Sequence, residues 1–370
     1  MKKSVTVHLL LFIMLGLINF DNFAMHSQRP IRKFLNLSRI NKIKKRHKPN
    51  GLTPYYTNQM SFIKTSKWNN IPKHSELFRL KKLKKASYFK NDNFYSPNQI
   101  AIIGLGHMGK AIAKGLIGLG KESNISLILS SKSRPYENIF FDKPNVSIAH
   151  NNREAVENAD IVILAVKPLM LKSILTEIAD LLNDKIVISV VAGVSIKLIS
   201  QMLGNNEQKI IRIMTNLPVE CKSGLIGIFT NKLVTTPEKS EIVNIFGALG
   251  KVIELENEDQ LDIITVLVGC GPALVSYLMQ NFIETSSKLG LSDEQSRALM
   301  IKTFAGTCNL LERTHIAPNN LIAATATKGG VTEQIIKDFN SFELDQIIKI
   351  SLQRGLHKLK SLDELVKSQL

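Results

Sequence analysis

The stretch QIAIIGLGHMG at residues 99–109 decides the fold of this chain. Gln99–Ile103 has the composition of a short buried strand, and the residues after the last glycine continue as an apolar helix. Between them Gly104, Gly106 and Gly109 form a G-x-G-x-x-G pattern. The first glycine permits a tight turn, the second lets the backbone approach a pyrophosphate, and the third lets the helix pack on the strand. This context favours a dinucleotide-binding Rossmann domain over a glycine-rich turn without a ligand.

Further buried strands follow at a spacing typical of an α/β domain. They are predicted at Ser126–Leu129, Asp160–Ala165, Lys185–Val191 and Ile210–Met214. Each strand ends in small or polar residues, and ligands bind at the carboxyl ends of strands in open α/β sheets. Taken singly, each loop could equally be an ordinary turn.

The end of the second strand predicts which dinucleotide is bound. An NAD-binding domain usually has Asp or Glu there to hold the ribose hydroxyls. This chain has Ser130, Ser131, Lys132 and Arg134 instead, which suit a 2′-phosphate. NADPH is therefore the expected cofactor, with NADH as the alternative; without a ligand, the segment would be a solvated basic turn.

From about residue 258 the strand pattern gives way to helices. Asp259–Ser287 is predicted to be a helix interrupted at Gly269–Pro272, and its apolar residues lie on all sides, which indicates full burial. With fewer than 20 uninterrupted residues it is not predicted to span a membrane, and burial between two subunits is the alternative. Further helices are expected from Ser292, which begins an S-x-x-Q capping box, to Glu312, and at Asn319–Ala326, Glu333–Asp338 and Phe342–Leu359.

A second glycine-rich turn, Gly329-Gly330, stands at the start of one of these helices. Helix N-termini attract anions because their first N–H groups have no partner within the helix. With phosphates already assigned to Gly104–Gly109, this turn is expected to hold a substrate carboxylate.

The charge of the chain is concentrated at its N-terminus. Residues 1–96 contain 20 of the 48 Lys and Arg but only three of the 31 Asp and Glu, so they carry the whole formal excess of +17. A basic excess suggests nucleic acid as a partner, but the aromatic residues of this segment show no regular pattern interleaved with its basic clusters, and no nucleic-acid partner is expected. The remainder has the balanced charge of an ordinary enzyme.

That N-terminal segment has the features of a targeting leader. Residues 1–24 resemble a signal peptide, with Lys2 and Lys3 before a short apolar run, and residues 25–96 are basic and poor in acid, as transit peptides are. Without a sustained apolar period, the second part is predicted to be disordered. The combination favours a plastid bounded by extra membranes; secretion or a cytoplasmic location is the alternative.

Six motifs together resemble pyrroline-5-carboxylate reductase. They are GLGHMG, AVKP, VAGV, RIMTNLP, GCGPA and KGGVT, in order between residues 98 and 362. The resemblance implies an α/β fold in which an N-terminal Rossmann domain, residues 97–257, precedes an all-α dimerisation domain, residues 258–370. It also implies NADPH-dependent reduction of 1-pyrroline-5-carboxylate, a cyclic imine carboxylate, to L-proline by a homodimer or a multiple of dimers.

The resemblance further implies which residues form the site. The cofactor-binding residues would be Gly104, Gly106, His107, Met108, Gly109, Ser130, Ser131, Lys132, Asn152, Ala165, Lys167, Pro168, Gly193 and Asn216. The substrate would be held by Thr327, Gly329, Gly330, Val331 and Thr332, with the Thr332 hydroxyl as the catalytic group that orients the imine nitrogen.

Departures from the family pattern leave two rival functions open. Val268 and Cys270 replace serines that the family usually has, and Lys328 replaces its proline. One rival is a β-hydroxyacid dehydrogenase, which needs a lysine base on the long helix; this helix has none before Lys288. The other is a non-enzymatic NADP(H)-binding protein. The three cysteines are scattered, which predicts neither a disulfide framework nor a metal site.

Overall fold

The computed structural model describes residues 97–119, 124–132, 137–140 and 142–370. The predicted signal peptide, the basic leader and Arg134 lie outside these residues. The described part forms an eight-stranded sheet followed by a series of helices. The sheet order is β3-β2-β1-β4-β5-β6-β7-β8; all neighbours are parallel except β6 and β7, which are antiparallel.

The strands are β1 Gln99–Ile103, β2 Ser126–Ser130, β3 Val146–Ile148, β4 Ile161–Leu164, β5 Ile186–Ser189, β6 Lys209–Met214, β7 Gly224–Thr230 and β8 Gly250–Glu254. The helices of the sheet region are α1 His107–Ile117, α2 Glu137–Phe140, α3 Asn152–Glu157, α4 Leu171–Ile178, α5 Ile196–Leu203 and α6 Thr236–Gly247. Those of the helical region are α7 Gln260–Ile264, α8 Gly271–Lys288, α9 Asp293–Thr314, α10 Pro318–Thr325, α11 Val331–Ser341 and α12 Leu344–Lys367.

Alternation along the central strand builds a core on each face of the sheet. Successive side chains of a strand point to opposite faces. Ile100 and Ile102 of β1 accordingly join the cluster beneath α1 and α6, whereas Ala101 and Ile103 join the cluster beneath α3, α4 and α5. Both faces of the sheet are therefore buried, which explains why these strands read as continuous apolar runs.

The five predicted strands are present, and the structure adds three that the sequence reading did not identify. These are β3, β7 and β8. Strand β3 has only three residues, and β8 is largely half-exposed or exposed, so neither produces an apolar run. Strand β7 begins with a glycine, and a second glycine, Gly227, interrupts its apolar pattern.

The long helix departs from the prediction at its glycine-proline segment. Thr265–Gly269 forms a π-helical turn that continues α7 into α8, so Gln260–Lys288 is one helix rather than two. Pro272 stands in the first turn of α8, directly after the π-helical turn, at a position where helices tolerate proline. The expectation of an interrupted segment shorter than 20 residues was wrong, and by length and composition this helix could cross a membrane.

The prediction that the long helix is fully buried does not hold within one chain. No residue of α8 is buried, and Tyr277 is 70% exposed. The apolar sides of α8 and α9 therefore lie open on the surface of the single chain.

The last helix returns to the first domain. Val366 is completely buried in the core cluster beneath α3, α4 and α5, and Leu359 lies against Gly193 in the loop after β5. Helix α12 extends to Lys367, eight residues beyond its predicted end, because this packing continues to its last turn.

Candidate active site

The glycine loop lies at the point where the strand order reverses. β1 pairs with β2 on one side and with β4 on the other, and a crevice opens at such a switch point. Gly104, with φ of +95°, begins the loop, and its N–H donates to the carbonyl of Ser130, 2.8 Å away. A Cβ at Gly104 would lie 2.7 Å from the carbonyl oxygen of Ala165, at the end of β4. Glycine is therefore required there for the two strand ends to meet.

The other two glycines give the loop the form that a pyrophosphate needs. A Cβ at Gly109 would lie 2.0 Å from the Gly104 carbonyl oxygen, so this glycine lets α1 pack against the loop. A Cβ at Gly106 would meet nothing within 4 Å, so this side of the loop is open to a ligand. Gly106 caps α1 without any side chain, and the first turn of α1 contains no acidic residue. The N–H groups of this exposed helix end therefore fit a phosphate.

The two residues between Gly106 and Gly109 have different surroundings. His107 is exposed at the start of α1, whereas Met108 is partly buried and packs against the core beneath this helix. The Met108 side chain therefore contributes to the core, while His107 is accessible at the helix end.

At the end of β2, one of the predicted phosphate contacts is already engaged within the protein. Ser130 is 2% exposed, and its hydroxyl donates to Oδ1 of Asn152 at 2.9 Å. The amide of Asn152 donates to Glu177 at 2.8 Å. Asn152 is the first residue of α3 rather than part of a loop. The chain of hydrogen bonds fixes the orientation of the Asn152 amide beside the candidate cofactor site.

Ser131 and Lys132 continue beyond the strand. Ser131 is half-buried and Lys132 is exposed, so both lie where a ligand at the end of β2 could contact them.

The loop after β4 carries three of the predicted residues. Ala165 donates its N–H to the Ile103 carbonyl at 2.8 Å and so lies beside the glycine loop. Lys167 is exposed and precedes a 3₁₀ turn, Pro168–Met170, which begins at Pro168. Lys172, just beyond it, donates to the carbonyl of Gln369, so the end of the chain holds this loop.

Two more predicted residues follow the next strands. Gly193, with φ of +69°, is buried, and its missing Cβ leaves the space that Leu359 of α12 fills. Asn216 precedes the 3₁₀ turn Leu217–Cys221, and its side-chain oxygen accepts the N–H of Leu225 at 3.1 Å. Both residues lie at the carboxyl edge of the sheet. There Gly193 makes room for Leu359, and Asn216 binds the backbone of β7 at Leu225.

A cavity of about 300 Å³ adjoins Gly193, but its lining does not suit a phosphate. Acidic residues dominate it, and its buried cation, Arg212, pairs with Glu258 at 2.8 Å. Burial raises the pKa of Asp262 in this lining. The glycine loop is therefore the better phosphate site.

The predicted substrate residues form an exposed turn at the start of α11. The N–H of Gly330 donates to the Thr327 carbonyl at 2.9 Å, and Gly329 has φ of +76°. A Cβ at Gly330 would lie 2.8 Å from the Thr327 hydroxyl oxygen, so the turn requires glycine. Val331 is 79% exposed and Thr332 is exposed beside it in the first turn of α11. Their N–H groups and the Thr332 hydroxyl can meet a carboxylate and a ring.

Sequence reading missed two carboxylates that support these residues. Glu177 holds Asn152, and Glu333 accepts the Gly329 N–H at 2.6 Å. Glu333 stands three residues after the cap Gly330, the position from which a glutamate often reaches back over a helix start. That spacing could have identified Glu333; no sequence signal marks Glu177.

The three cysteines, expected from their scatter along the sequence to be small buried hydrophobic residues, are not buried within the single chain. Cys221, Cys270 and Cys308 are free and exposed. Among the described residues there is no group of three or more His, Cys, Asp or Glu that could hold a metal ion.

Two family models match the chain. Residues 99–193 match the model "NADP oxidoreductase coenzyme F420-dependent", and residues 258–362 match "Pyrroline-5-carboxylate reductase dimerisation". The first match covers strands β1 to β5 of the sheet region, and the second covers most of the helical region.

Individual relatives of the chain are also named pyrroline-5-carboxylate or pyrroline carboxylate reductases. The chain is 30% identical over 234 residues to the pyrroline-5-carboxylate reductase of Synechocystis, covering 63% of this chain and 86% of that protein. Among solved structures, the Coxiella burnetii pyrroline-5-carboxylate reductase has a TM-score of 0.64 at 32% identity, covering 72% of this chain and 98% of that one. The Plasmodium falciparum pyrroline carboxylate reductase, solved with NADP bound, has a TM-score of 0.66 at 26% identity. The match covers 74% of this chain and 100% of that one.

Proposed function

Because this chain belongs to the pyrroline-5-carboxylate reductase family, we propose that it reduces 1-pyrroline-5-carboxylate to L-proline with NADPH. One observation carries the proposal: an open glycine loop for a dinucleotide and a glycine turn for a carboxylate occur in one chain, each within a matched family segment.

The reaction requires little acid–base catalysis by the protein. NADPH, when bound, supplies a hydride, and the cofactor carries the difficult step. The imine nitrogen of the substrate is protonated before transfer, and addition of the hydride to the carbon of the C=N bond leaves a secondary amine. The protein must hold the donor and the ring carbon in contact and in alignment, which makes positioning the main source of rate.

Each part of the site has a role in that positioning. The N–H groups at the start of α1 hold the pyrophosphate, and Ser131 and Lys132 hold the 2′-phosphate. The N–H groups of Val331 and Thr332 hold the substrate carboxylate, because the first N–H groups of α11 have no acceptor within the helix. The Thr332 hydroxyl orients the ring nitrogen.

A turnover assay tests the proposal directly. The purified protein should oxidise NADPH only when 1-pyrroline-5-carboxylate is present, and proline should appear in equal amount. NADPH binding without turnover would identify a non-enzymatic binding protein. Turnover of a β-hydroxyacid with NADP, and none of the imine, would identify the rival dehydrogenase class.

We also propose that the enzyme is a homodimer or a multiple of dimers. The matched dimerisation segment and the open apolar sides of α8 and α9 support this assembly. A dimer would bury the long helix, whose composition would otherwise also allow it to cross a membrane.

We propose further that residues 1–96 direct the enzyme to a plastid. Their basic, acid-poor composition supports this proposal. A fluorescent protein fused after residue 96 should accumulate in the plastid, and the chain started at Ser96 should fold and retain full activity. Secretion of the fusion, or failure of the shortened chain to fold, would contradict it.

A further inference from the structure

The substrate turn lacks the residue that usually stiffens a turn of this kind. Gly330 N–H donates to the Thr327 carbonyl, and Gly329 has the positive φ of the third residue of a type II turn. Proline is common at the second position because its ring presets φ. Here that position is Lys328, which is exposed. The local sequence alone therefore leaves the turn free to change conformation.

A side chain of the following helix restrains the turn instead. One carboxylate oxygen of Glu333 accepts the Gly329 N–H at 2.6 Å, and the other pairs with the Lys337 ammonium at 3.1 Å. The Gly329 N–H, together with Lys337, lowers the pKa of Glu333 below its ordinary value. Glu333 is therefore charged at neutral pH, and the acceptor remains in place.

We propose that Glu333 is a positioning residue that holds the substrate turn in its carboxylate-binding form, in the way that a proline at position 328 would. The proposal rests on the function proposed above. In this form the Gly329 N–H donates to the Glu333 carboxylate, and the Gly330 N–H donates to the Thr327 carbonyl. The N–H groups of Val331 and Thr332 then remain to bind the substrate carboxylate. Without the restraint, the substrate would have to order the turn on binding, which weakens affinity.

The charge of Glu333 is compatible with an anion bound nearby. Its pairing with Lys337, four residues along the same helix face, offsets its negative charge. Glu333 therefore can hold the turn without strongly repelling the substrate carboxylate.

Four variants test the role by steady-state kinetics. Glu333→Ala should raise the KM for 1-pyrroline-5-carboxylate about fivefold, the size of one lost hydrogen bond, with kcat and the NADPH Kd little changed. Glu333→Gln should stay near wild type because its amide oxygen still accepts the Gly329 N–H.

Lys328→Pro combined with Glu333→Ala should restore most of the affinity for the imine substrate, and Lys328→Pro alone should be active. The proline removes no bond, since within the described structure the Lys328 N–H has no acceptor.

A matched control changes the neighbouring side chain. Gln334 is exposed beside Glu333 and bonds only along the helix, to Asp338 at 3.0 Å. Gln334→Ala should therefore leave the KM unchanged.

Hydrogen exchange separates this proposal from the proposed activity. Exchange of the Gly329 amide should be slow in the wild type and in Glu333→Gln, and fast in Glu333→Ala, whatever reaction the enzyme catalyses. Equal exchange in the wild type and Glu333→Ala would overturn the restraint. An increase in KM that persists after Lys328→Pro is added would also overturn it, since Glu333 would then act on the substrate itself. Absence of imine turnover in the wild type would instead overturn the proposed function.

Discussion

At the scale of single residues, the glycines of this chain are required for different reasons. At Gly104 and Gly109 a Cβ would collide with backbone, whereas at Gly106 it would enter open space that a ligand can fill. At Gly330 it would lie within 2.9 Å of two oxygens of Thr327. Substitutions at these positions therefore act on different steps: loop closure, cofactor approach and substrate binding.

The substrate turn yields one prediction. Gly330→Ala should raise the KM for the imine about tenfold, equivalent to ~1.4 kcal/mol, because the turn must shift away from Thr327. Thr332→Ala should lower kcat about tenfold by misorienting the ring nitrogen, and Thr332→Ser should retain most activity. The NADPH Kd, measured by fluorescence, should not change in any of them. Gly247→Ala is the control, since a Cβ there meets nothing within 4 Å; wild-type kinetics in both Gly330→Ala and Thr332→Ala would remove the site assignment.

The end of β2 yields a second prediction. Ser131→Asp places a carboxylate where the 2′-phosphate is expected, so like charges should raise the KM for NADPH about tenfold or more. The KM for NADH should hardly change, because NADH has no 2′-phosphate. Ser131→Ala serves as the control that removes the hydroxyl without adding charge. Equal KM values for both cofactors in the unmodified enzyme would contradict the preference.

The glycine spacing was sufficient to predict the shape of the loop after β1, because at Gly104 and Gly109 any larger residue would collide with backbone. The supporting carboxylates were harder to predict. The role of Glu177 depends on how α4 packs beside α3, and such long-range packing leaves no local sequence pattern. Ser130 looked like a phosphate ligand from its position, yet its burial and its bond to Asn152 depend on the fold.

At the scale of elements, α6 begins with a complete capping box. The Thr235 hydroxyl accepts the Glu238 N–H, and the Glu238 carboxylate accepts the Thr235 N–H at 2.8 Å. Burial acts to raise the pKa of Glu238, but hydrogen bonds from Lys209 and Thr235 outweigh it and lower the pKa. This box ties α6 to β6 through Lys209, 2.6 Å from Glu238.

The box predicts a pH-dependent stability. Since the folded-state pKa of Glu238 lies below its ordinary 4.5, its contribution is complete above that pH and is lost as pH falls through the folded-state value. Glu238→Gln should remove this part of the pH dependence of the unfolding free energy in urea. Thr235→Ala should cost ~1 kcal/mol at neutral pH, and Thr236→Ala, one residue later, should cost much less. Identical acid profiles for the wild type and Glu238→Gln would show that the carboxylate contributes nothing.

The elements themselves were predictable where their pattern was long. Strands β1, β2, β4, β5 and β6 are buried on both sides, so each forms a conspicuous apolar run. A short or half-exposed strand such as β8 depends on its neighbour for its conformation, and sequence reading overlooked it. The π-helical turn before Pro272 was also missed, because proline and glycine usually end a helix.

At the scale of the whole molecule, the exposed apolar surface of α8 and α9 is the surface that we expect a second subunit to cover. Exposed apolar patches of this kind mark interaction sites. Tyr277→Arg places a charge in the predicted subunit interface and should shift the enzyme from dimer to monomer at fixed concentration, as measured by light scattering. Lys232→Glu, on an exposed turn of the sheet region, should leave the mass unchanged. A dimer that survives Tyr277→Arg would place the interface elsewhere.

The return of α12 to the sheet has a consequence for how the protein is made. Val366 completes the core beneath α3, α4 and α5, and Leu359 fills the space beside Gly193. Domains generally fold in the order in which they leave the ribosome. Here the sheet and the helices α3, α4 and α5 that cover this face emerge early, but the part of the core that Val366 fills stays incomplete until α12 has been translated. The last turn of α12 therefore packs onto a domain whose other helices are already in place, and only then is this core complete.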